Sequence, residues 1–457
     1  MVIYLIVSSV VLTVSVRLFR RAAGSLSLMR PNMISYVFYY NIILQTFIAS
    51  VLVVANIDNH HVISRLSEEA RFYGWISVMY MMITLPIGML LSRYLFSPRA
   101  GVRSLLGKYA DSPVSVEGRS GKALKYSVWC FTGISIAACI YTFWVIGYYP
   151  FAKAFTSSAS ELGAIRFTAT REFAGNVYVR NTFALTMTPV LAYAWVVYYK
   201  LSRSPADLVA MIVTLFFATS ILYYNFEKSP LLWFVLSFVF LTYYLYGRLN
   251  VRYAAWSAVV VAVFIATLYI WAGVSPEELI SYNTGPVGRV ILGQSAGLFA
   301  SFDVFPDQHS FIGFASISRL LSEVVGFEYV ERSARIVMML YNPWGIEAGT
   351  AGVMNTIFIG EAWANFGIIG ILLSPLWVGF LLQTLNIFFL KSPKNPVYLA
   401  FFVSFSVGGS VTGGVNDYLY SGSTLMSATI FVMIMLLAAA FRGYSHSSYR
   451  KIRVSVS

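Results

Sequence analysis

The chain has 457 residues, 58% hydrophobic and only 11% charged, with a mean hydropathy of +0.70. Soluble domains carry about 25% charged residues, so this chain has too little polar surface to face water, and a water-soluble globular protein is excluded. The net charge of +13 brings nucleic-acid binding to mind, but the placement of the charges along the chain gives it another cause.

Apolar runs long enough to cross a bilayer predict helices over 1–17, 33–55, 72–95, 126–148, 183–199, 207–224, 230–247, 254–273, 367–390, 396–413 and 423–441. The expected fold class is all-α: a polytopic transmembrane bundle of about eleven spans, forming one integral membrane domain over 1–457. The 17% aromatic content suits belts of Trp and Tyr at the two interfaces. The first run has no basic residue before it and no small-residue cleavage site after it, and Arg17, Arg20 and Arg21 follow. It reads as a retained helix whose N-terminus lies outside. Cys130 and Cys139 share one run; nine residues apart, they fall on opposite helix faces and cannot bridge.

The segments 17–30, 93–125, 200–207, 248–252, 391–394 and 442–453 hold 21 of the 32 Lys and Arg residues but only three acids, Asp111, Glu117 and Asp207. The alternate segments hold the other 11 basic residues and 16 acids. By the positive-inside rule the N-terminus is outside and the C-terminus cytoplasmic. The positive charge is thus read as topology, and no nucleic acid is expected as a partner. The basic inner segment 97–125 reads as a solvated linker near anionic lipid heads. Two outer segments, 149–182 and 274–351, are too long for turns and mix apolar patches with charge, which predicts short amphipathic or re-entrant helices over the bundle. His60 and His61 are adjacent and read as solvated loop.

Four constellations could carry chemistry. Arg166, Arg171 and Arg180 lie in the first long loop. Arg166 and Arg180, fourteen residues apart, share a face if the helix is unbroken. Guanidinium groups bind oxyanions bidentately, although interfacial arginines also snorkel to head groups. Glu227-Lys228-Ser229-Pro230 forms a tight outer turn, with Ser229 a natural N-cap and Pro230 a natural first helical residue. The helix start beside Lys228 suits an anion. In Gly288-Arg289-x-x-x-Gly293-x-x-x-Gly297 the arginine and the later glycines fall on one helical face that another helix or a lipid chain can approach. At the outer mouth of the ninth span, Glu361 and Asn365 share a face by their i, i+4 spacing, and an acid entering a span is a functional candidate. Further acids are Asp303, Asp307, Glu347 and Asp417, and His309 is the one histidine beside them. No nucleotide-binding glycine loop, metal-ligand spacing or inverted repeat is present.

The stretch Gly360-Glu-Ala-Trp-Ala-Asn-Phe-Gly367 resembles the bacterial oligosaccharide repeat-unit polymerases, the Wzy-type O-antigen and capsule polymerases. The order of features around it is similar too: an arginine-bearing outer loop, a span with Thr188-Pro189 near its start, a short basic turn, and a large outer loop opening on Arg289. That family often has an arginine in the short turn where this chain has Lys228. The resemblance implies a GT-C-like, metal-independent glycosyltransferase of the bacterial inner membrane that needs no cofactor. Its substrate would be undecaprenyl-diphosphate-linked oligosaccharide, with membrane lipids, a chain-length regulator and a flippase as partners. Arg166, Arg171, Arg180, Lys228 and Asn365 would bind substrate and diphosphate; Glu361, Arg289 and His309 would be catalytic, with cations stabilising the leaving group and a carboxylate or histidine deprotonating the acceptor hydroxyl. For Glu361 itself two roles stay open, ion-pair partner or base. The alternatives are an O-antigen ligase, which His309 favours, a lipid-linked glycan flippase or transporter, and a non-catalytic scaffold of an export complex.

The topology is directly testable. Reporter tags at the C-terminus and within 97–125 are expected to read out cytoplasm, and tags within 149–182 and 274–351 the outer side. A cytoplasmic readout from either long loop overturns the orientation.

Overall fold

A computed structural model of the protein describes residues 1–97, 101–116, 118–157, 159–249, 275–347, 351–409 and 411–453, with scattered positions between 252 and 270. All regular structure among the described residues is helical. Among the described residues, nine helices are long and apolar enough to cross a membrane: Val2–Ala23, Met33–Val54, Glu68–Phe96, Ser120–Thr156, Val179–Ser202, Pro205–Leu222, Ser229–Tyr246, Ile357–Lys391 and Asn416–Arg442. The protein is thus a multi-pass membrane protein, and these nine coincide with nine of the eleven expected spans. The expected span 254–273 lies mostly outside the described residues. The expected span 396–413 is a 13-residue helix, Pro396–Gly408. At 1.5 Å per residue it covers about 20 Å, short of the roughly 30 Å hydrocarbon core.

The chain, read from sequence as one domain, divides into two compact units: Met1–Lys108 with Arg248–Lys391 and Ser406–Ser421, and Tyr109–Gly247 with Ser392–Phe405 and Gly422–Ser457. The first unit is organised by the crossing of Glu68–Phe96 with Ile357–Lys391. Ser67 starts the former helix by accepting a hydrogen bond from the Ala70 N–H, and Glu68 and Glu69 in its first turn suit the helix dipole. At the crossing two glycines let backbones touch: a Cβ on Gly88 would lie 2.1 Å from the Leu376 carbonyl oxygen, and one on Gly379 2.1 Å from that of Leu85. Val2–Ala23 joins through two buried serines seven residues apart. Ser15 donates to the Met82 carbonyl at 2.8 Å, and Ser8 accepts from the Trp75 indole at 3.0 Å.

The long segment 275–347 folds into short helices, among them Gly285–Ile291, Ala296–Val304, Arg319–Val325 and Ser333–Tyr341. Ala296–Val304 does not merely lie over the bundle. Its residues Ala296 to Ser301 are buried, with Phe299 seated where Gly74 has no side chain and Leu298 against Gly360. In the second unit the seams are polar: Trp195 donates to Thr132 Oγ1 at 2.8 Å, and Ser135 and Thr188 share a hydrogen bond of 2.5 Å. Such hydrogen bonds hold helices together where lipid removes the hydrophobic drive. Cys139 is buried and Cys130 exposed, as their opposite-face spacing requires.

The glycine crossing predicts a sharp position dependence. Gly379→Ala is expected to cost about 1–3 kcal/mol by overpacking, read as a lowered thermal unfolding midpoint in detergent. Gly133→Ala, where a Cβ meets nothing within 4 Å, is expected to leave the midpoint unchanged or slightly raised.

Candidate functional site

The conspicuous polar cluster of the first unit surrounds Glu361. The helix Ile357–Lys391 is broken at Gly367, whose φ of 59° and ψ of −140° are not helical. A left-handed φ favours glycine, and a Cβ there would lie 3.2 Å from the Phe311 ring. The break frees the carbonyls of Ala364 and Asn365 from intrahelical bonding. They accept instead from the N–H groups of Ile312 at 3.0 Å and Gly313 at 2.9 Å, docking the long 275–347 segment on the start of the helix.

Glu361 is fully buried at this helix start. Arg332 grips it bidentately, Nε to Oε1 at 2.8 Å and Nη2 to Oε2 at 2.9 Å, and the Asn416 N–H donates to Oε2 at 2.9 Å. The third arm of Arg332, Nη1, reaches Asp417 Oδ1 at 3.0 Å, whose Oδ2 accepts from the Gly414 N–H at 3.2 Å. Burial alone would lower the pKa of Arg332; hydrogen bonding and charge from Glu361, with the charge of Asp417, outweigh it and raise the pKa. Gly414 is required by the pair: a Cβ there would sit 1.8 Å from Glu361 Oε2 and 2.4 Å from Arg332 Nη2. Asn365 lies one turn from Glu361 on the same face; its Nδ2 donates to Asn416 Oδ1 at 2.9 Å, and Asn416 in turn donates to Ser316.

Of the two roles left open for Glu361, the geometry fits the ion-pair partner. Both carboxylate oxygens are engaged, and no surface remains for a substrate hydroxyl. The carboxylate that does face outward is Asp417, whose side chain is 46% exposed while Arg332 holds it. Sequence reasoning placed Asp417 only among further acids and missed Arg332, whose partners are 29 and 85 residues away, and Gly414, whose close neighbours Glu361 and Arg332 are as distant in sequence.

The other expected residues of this unit fall elsewhere. Arg289 is exposed on Gly285–Ile291, which ends before Gly293, so no continuous glycine face exists. The three glycines admit close backbone instead: Asn283 at Gly288, Arg289 at Gly293, and Asn355 at Gly297. His309 is half-buried, its Nδ1 bonded to the Ser310 carbonyl at 2.7 Å and its ring against Phe305. Asp303 is structural, accepting from Ser67 Oγ at 2.8 Å and Tyr341 Oη at 2.6 Å. Asp307 and Glu347 are exposed. His60, expected in solvent, is buried, with its pKa pushed down to about 4 by that burial; only His61 is exposed.

In the second unit the arginines of the first long loop are not on one helix. Ala159–Arg171 ends, the chain turns back, and Arg180 sits in the π-helical stretch Val179–Thr186. Arg166 pairs with Glu227, and Arg171 lies over the Phe167 ring. Arg180 is 5% exposed; it donates to the Ala169 carbonyl at 2.8 Å and Asn181 Oδ1 at 3.0 Å, between the rings of Phe173 and Tyr224. It has no carboxylate partner among the described residues. Tyr224, beside Arg180, Arg166 and Glu227, has its pKa raised mainly by burial. In the short turn Lys228, not Ser229, is the N-cap of Ser229–Tyr246.

Comparison with protein-family models, with curated proteins and with solved structures finds no match.

The Glu361 cluster makes a two-part prediction. Glu361→Gln is expected to destabilise the protein by about 3 kcal/mol, the low end for breaking a buried pair, because Arg332 keeps Asp417. Gly414→Ala is expected to do the same with every charge retained. Thermal unfolding of both variants checks this; unchanged stability in Glu361→Gln rejects the structural role.

Proposed function

We propose that the protein polymerises undecaprenyl-diphosphate-linked oligosaccharide repeat units into surface polysaccharide on the outer face of the bacterial inner membrane. The observation that carries this reading is Arg180, a buried guanidinium with no carboxylate beside it among the described residues. An unneutralised buried cation is costly, and ring faces and carbonyl dipoles offset only part of the cost. A diphosphate would complete it, through the donors of Arg180 that Ala169 and Asn181 leave unused. Such a cation can stabilise charge that develops as the diphosphate leaves the anomeric carbon.

The acceptor hydroxyl must lose a proton. Within the first unit, Asp417 is a carboxylate of the kind such a step needs, being exposed, paired with Arg332, and fixed by the Gly414 N–H. Glu361 then acts through Arg332 as a positioning residue. Arg289, exposed and without an ion-pair partner among the described residues, is available for the catalytic role expected of it, recognition of the oxyanion by guanidinium, in which lysine would substitute poorly. The ligase reading is supported by His309, whose Nε2 makes no hydrogen bond with a described residue and whose loop is docked on the helix mouth.

The test is incubation of the purified protein with lipid-linked repeat unit and electrophoresis of the products. A ladder of lengths is expected from the native protein. Asp417→Asn is expected to reduce it by about 10²–10⁴-fold with little change in stability, and Arg180→Gln and Arg289→Ala to abolish it. No ladder from native protein, with transfer of a single unit to a lipid A core acceptor, would establish the ligase instead. A full ladder from Asp417→Asn removes that residue from the chemistry.

A further inference from the structure

Five arginines that the charge pattern explains only as topology converge on one cavity. Arg17, Arg20 and Arg21 come from the last turns of Val2–Ala23, Arg93 from the last turn of Glu68–Phe96, and Arg103 from the first turn of Val102–Asp111. They line a cavity of about 370 Å³ together with Gly24, Gly101 and Val102, and none of these described lining residues is acidic. Arg93 is half-buried and the other four are exposed. None of the five forms an ion pair or side-chain hydrogen bond with a described residue.

The convergence is built into the backbone. Gly24 ends the first helix in a left-handed turn, φ 73°, and a Cβ on it would lie 2.5 Å from the Arg103 nitrogen. Only glycine permits this approach, which brings the end of one helix against the start of another and gathers their arginines. A positive-inside bias needs arginines on one side of the membrane but not in one cavity. Helix C-termini favour one or two cations; five like charges around a shared space repel one another unless an anion enters. The size is that of a small-ligand site, and guanidinium groups match phosphate oxygens bidentately.

We propose that this cavity binds an anionic phosphate group, carried either by a lipid headgroup or by a soluble polyphosphate. This rests on the arginine geometry alone and not on the polymerase reading.

The test uses the full chain in phosphatidylcholine nanodiscs, with the thermal unfolding midpoint followed by tryptophan fluorescence. One arm adds tripolyphosphate; the other dopes the discs with phosphatidylglycerol. A midpoint raised by tripolyphosphate assigns the site to soluble phosphate, and one raised by phosphatidylglycerol alone assigns it to a headgroup; either supports the proposal. The double variant R20Q/R103Q is expected to lose the response, weakening binding by at least about tenfold, whereas R30Q, on the same inner segment but outside the cavity, keeps it. Should the glutamine variant fail to fold, R20K/R103K serves: weaker binding than native supports guanidinium recognition, and equal binding overturns it. A flat midpoint in both arms, or an unchanged response in R20Q/R103Q, also overturns the proposal.

Discussion

A carboxylate with no exposed surface, at the mouth of an apolar helix, can stay charged only if a cation comes to it. Glu361 imposes this constraint, and the part of the first unit around it is arranged to meet it. Desolvating such an ion costs several kcal/mol, repaid only by excellent geometry and by hydrogen bonds to its remaining lone pairs. Arg332 supplies the bidentate pair and the Asn416 N–H the third bond. The chain must therefore bring a loop residue 29 positions upstream and a turn 55 positions downstream to the same two oxygens. Gly414 is the consequence, since any side chain there would occupy the space of the pair itself.

The break at Gly367 serves the same end. In an unbroken helix the carbonyls of Ala364 and Asn365 would accept from residues four positions on. Reversing φ at Gly367 releases them, and Ile312 and Gly313 take them up. Two intrahelical hydrogen bonds are exchanged for two that strap the loop to the helix. Ser316 then lies where Asn416 can reach it, and Asn416 bridges Ser316, Asn365 and Glu361. Loss of regularity at one glycine is thus offset by a network that orients Arg332, and through Arg332 the outward-facing Asp417.

Much of this was legible in the sequence where the signal is local. Nine helices follow from hydropathy, and the shared face of Glu361 and Asn365 follows from their spacing. What was not legible has a physical reason in each case. Four-residue glycine spacing reads as a helix face, but glycine also ends helices, and at Gly288, Gly293 and Gly297 each one admits neighbouring backbone. Arg166 and Arg180 fit four turns of helix by spacing alone, yet the chain reverses between Arg171 and Val179. Pro396–Gly408 is apolar enough to extend the span count but too short to cross the core. Arg332 sits in Glu331-Arg332-Ser333, a stretch with no pattern, and its meaning is wholly tertiary.

The arginines show how partners separate structural from ligand-seeking charge. Arg71 is buried, and its two terminal nitrogens are spent on Asp58 and the carbonyls of Val53 and Ile63. Its charge is neutralised by Asp58, and its role is to hold the 53–63 turn on the helix that begins at Glu68. Arg332 is spent on Glu361 and Asp417, so its influence on chemistry passes through the carboxylate it presents. Arg180 is as deeply buried as Arg71 but among the described residues meets one carbonyl, one amide oxygen and two ring faces. Buried to the same degree, the two differ by one full negative charge. A protein tolerates that difference where something else supplies the charge, and the species that matches a guanidinium is an oxyanion.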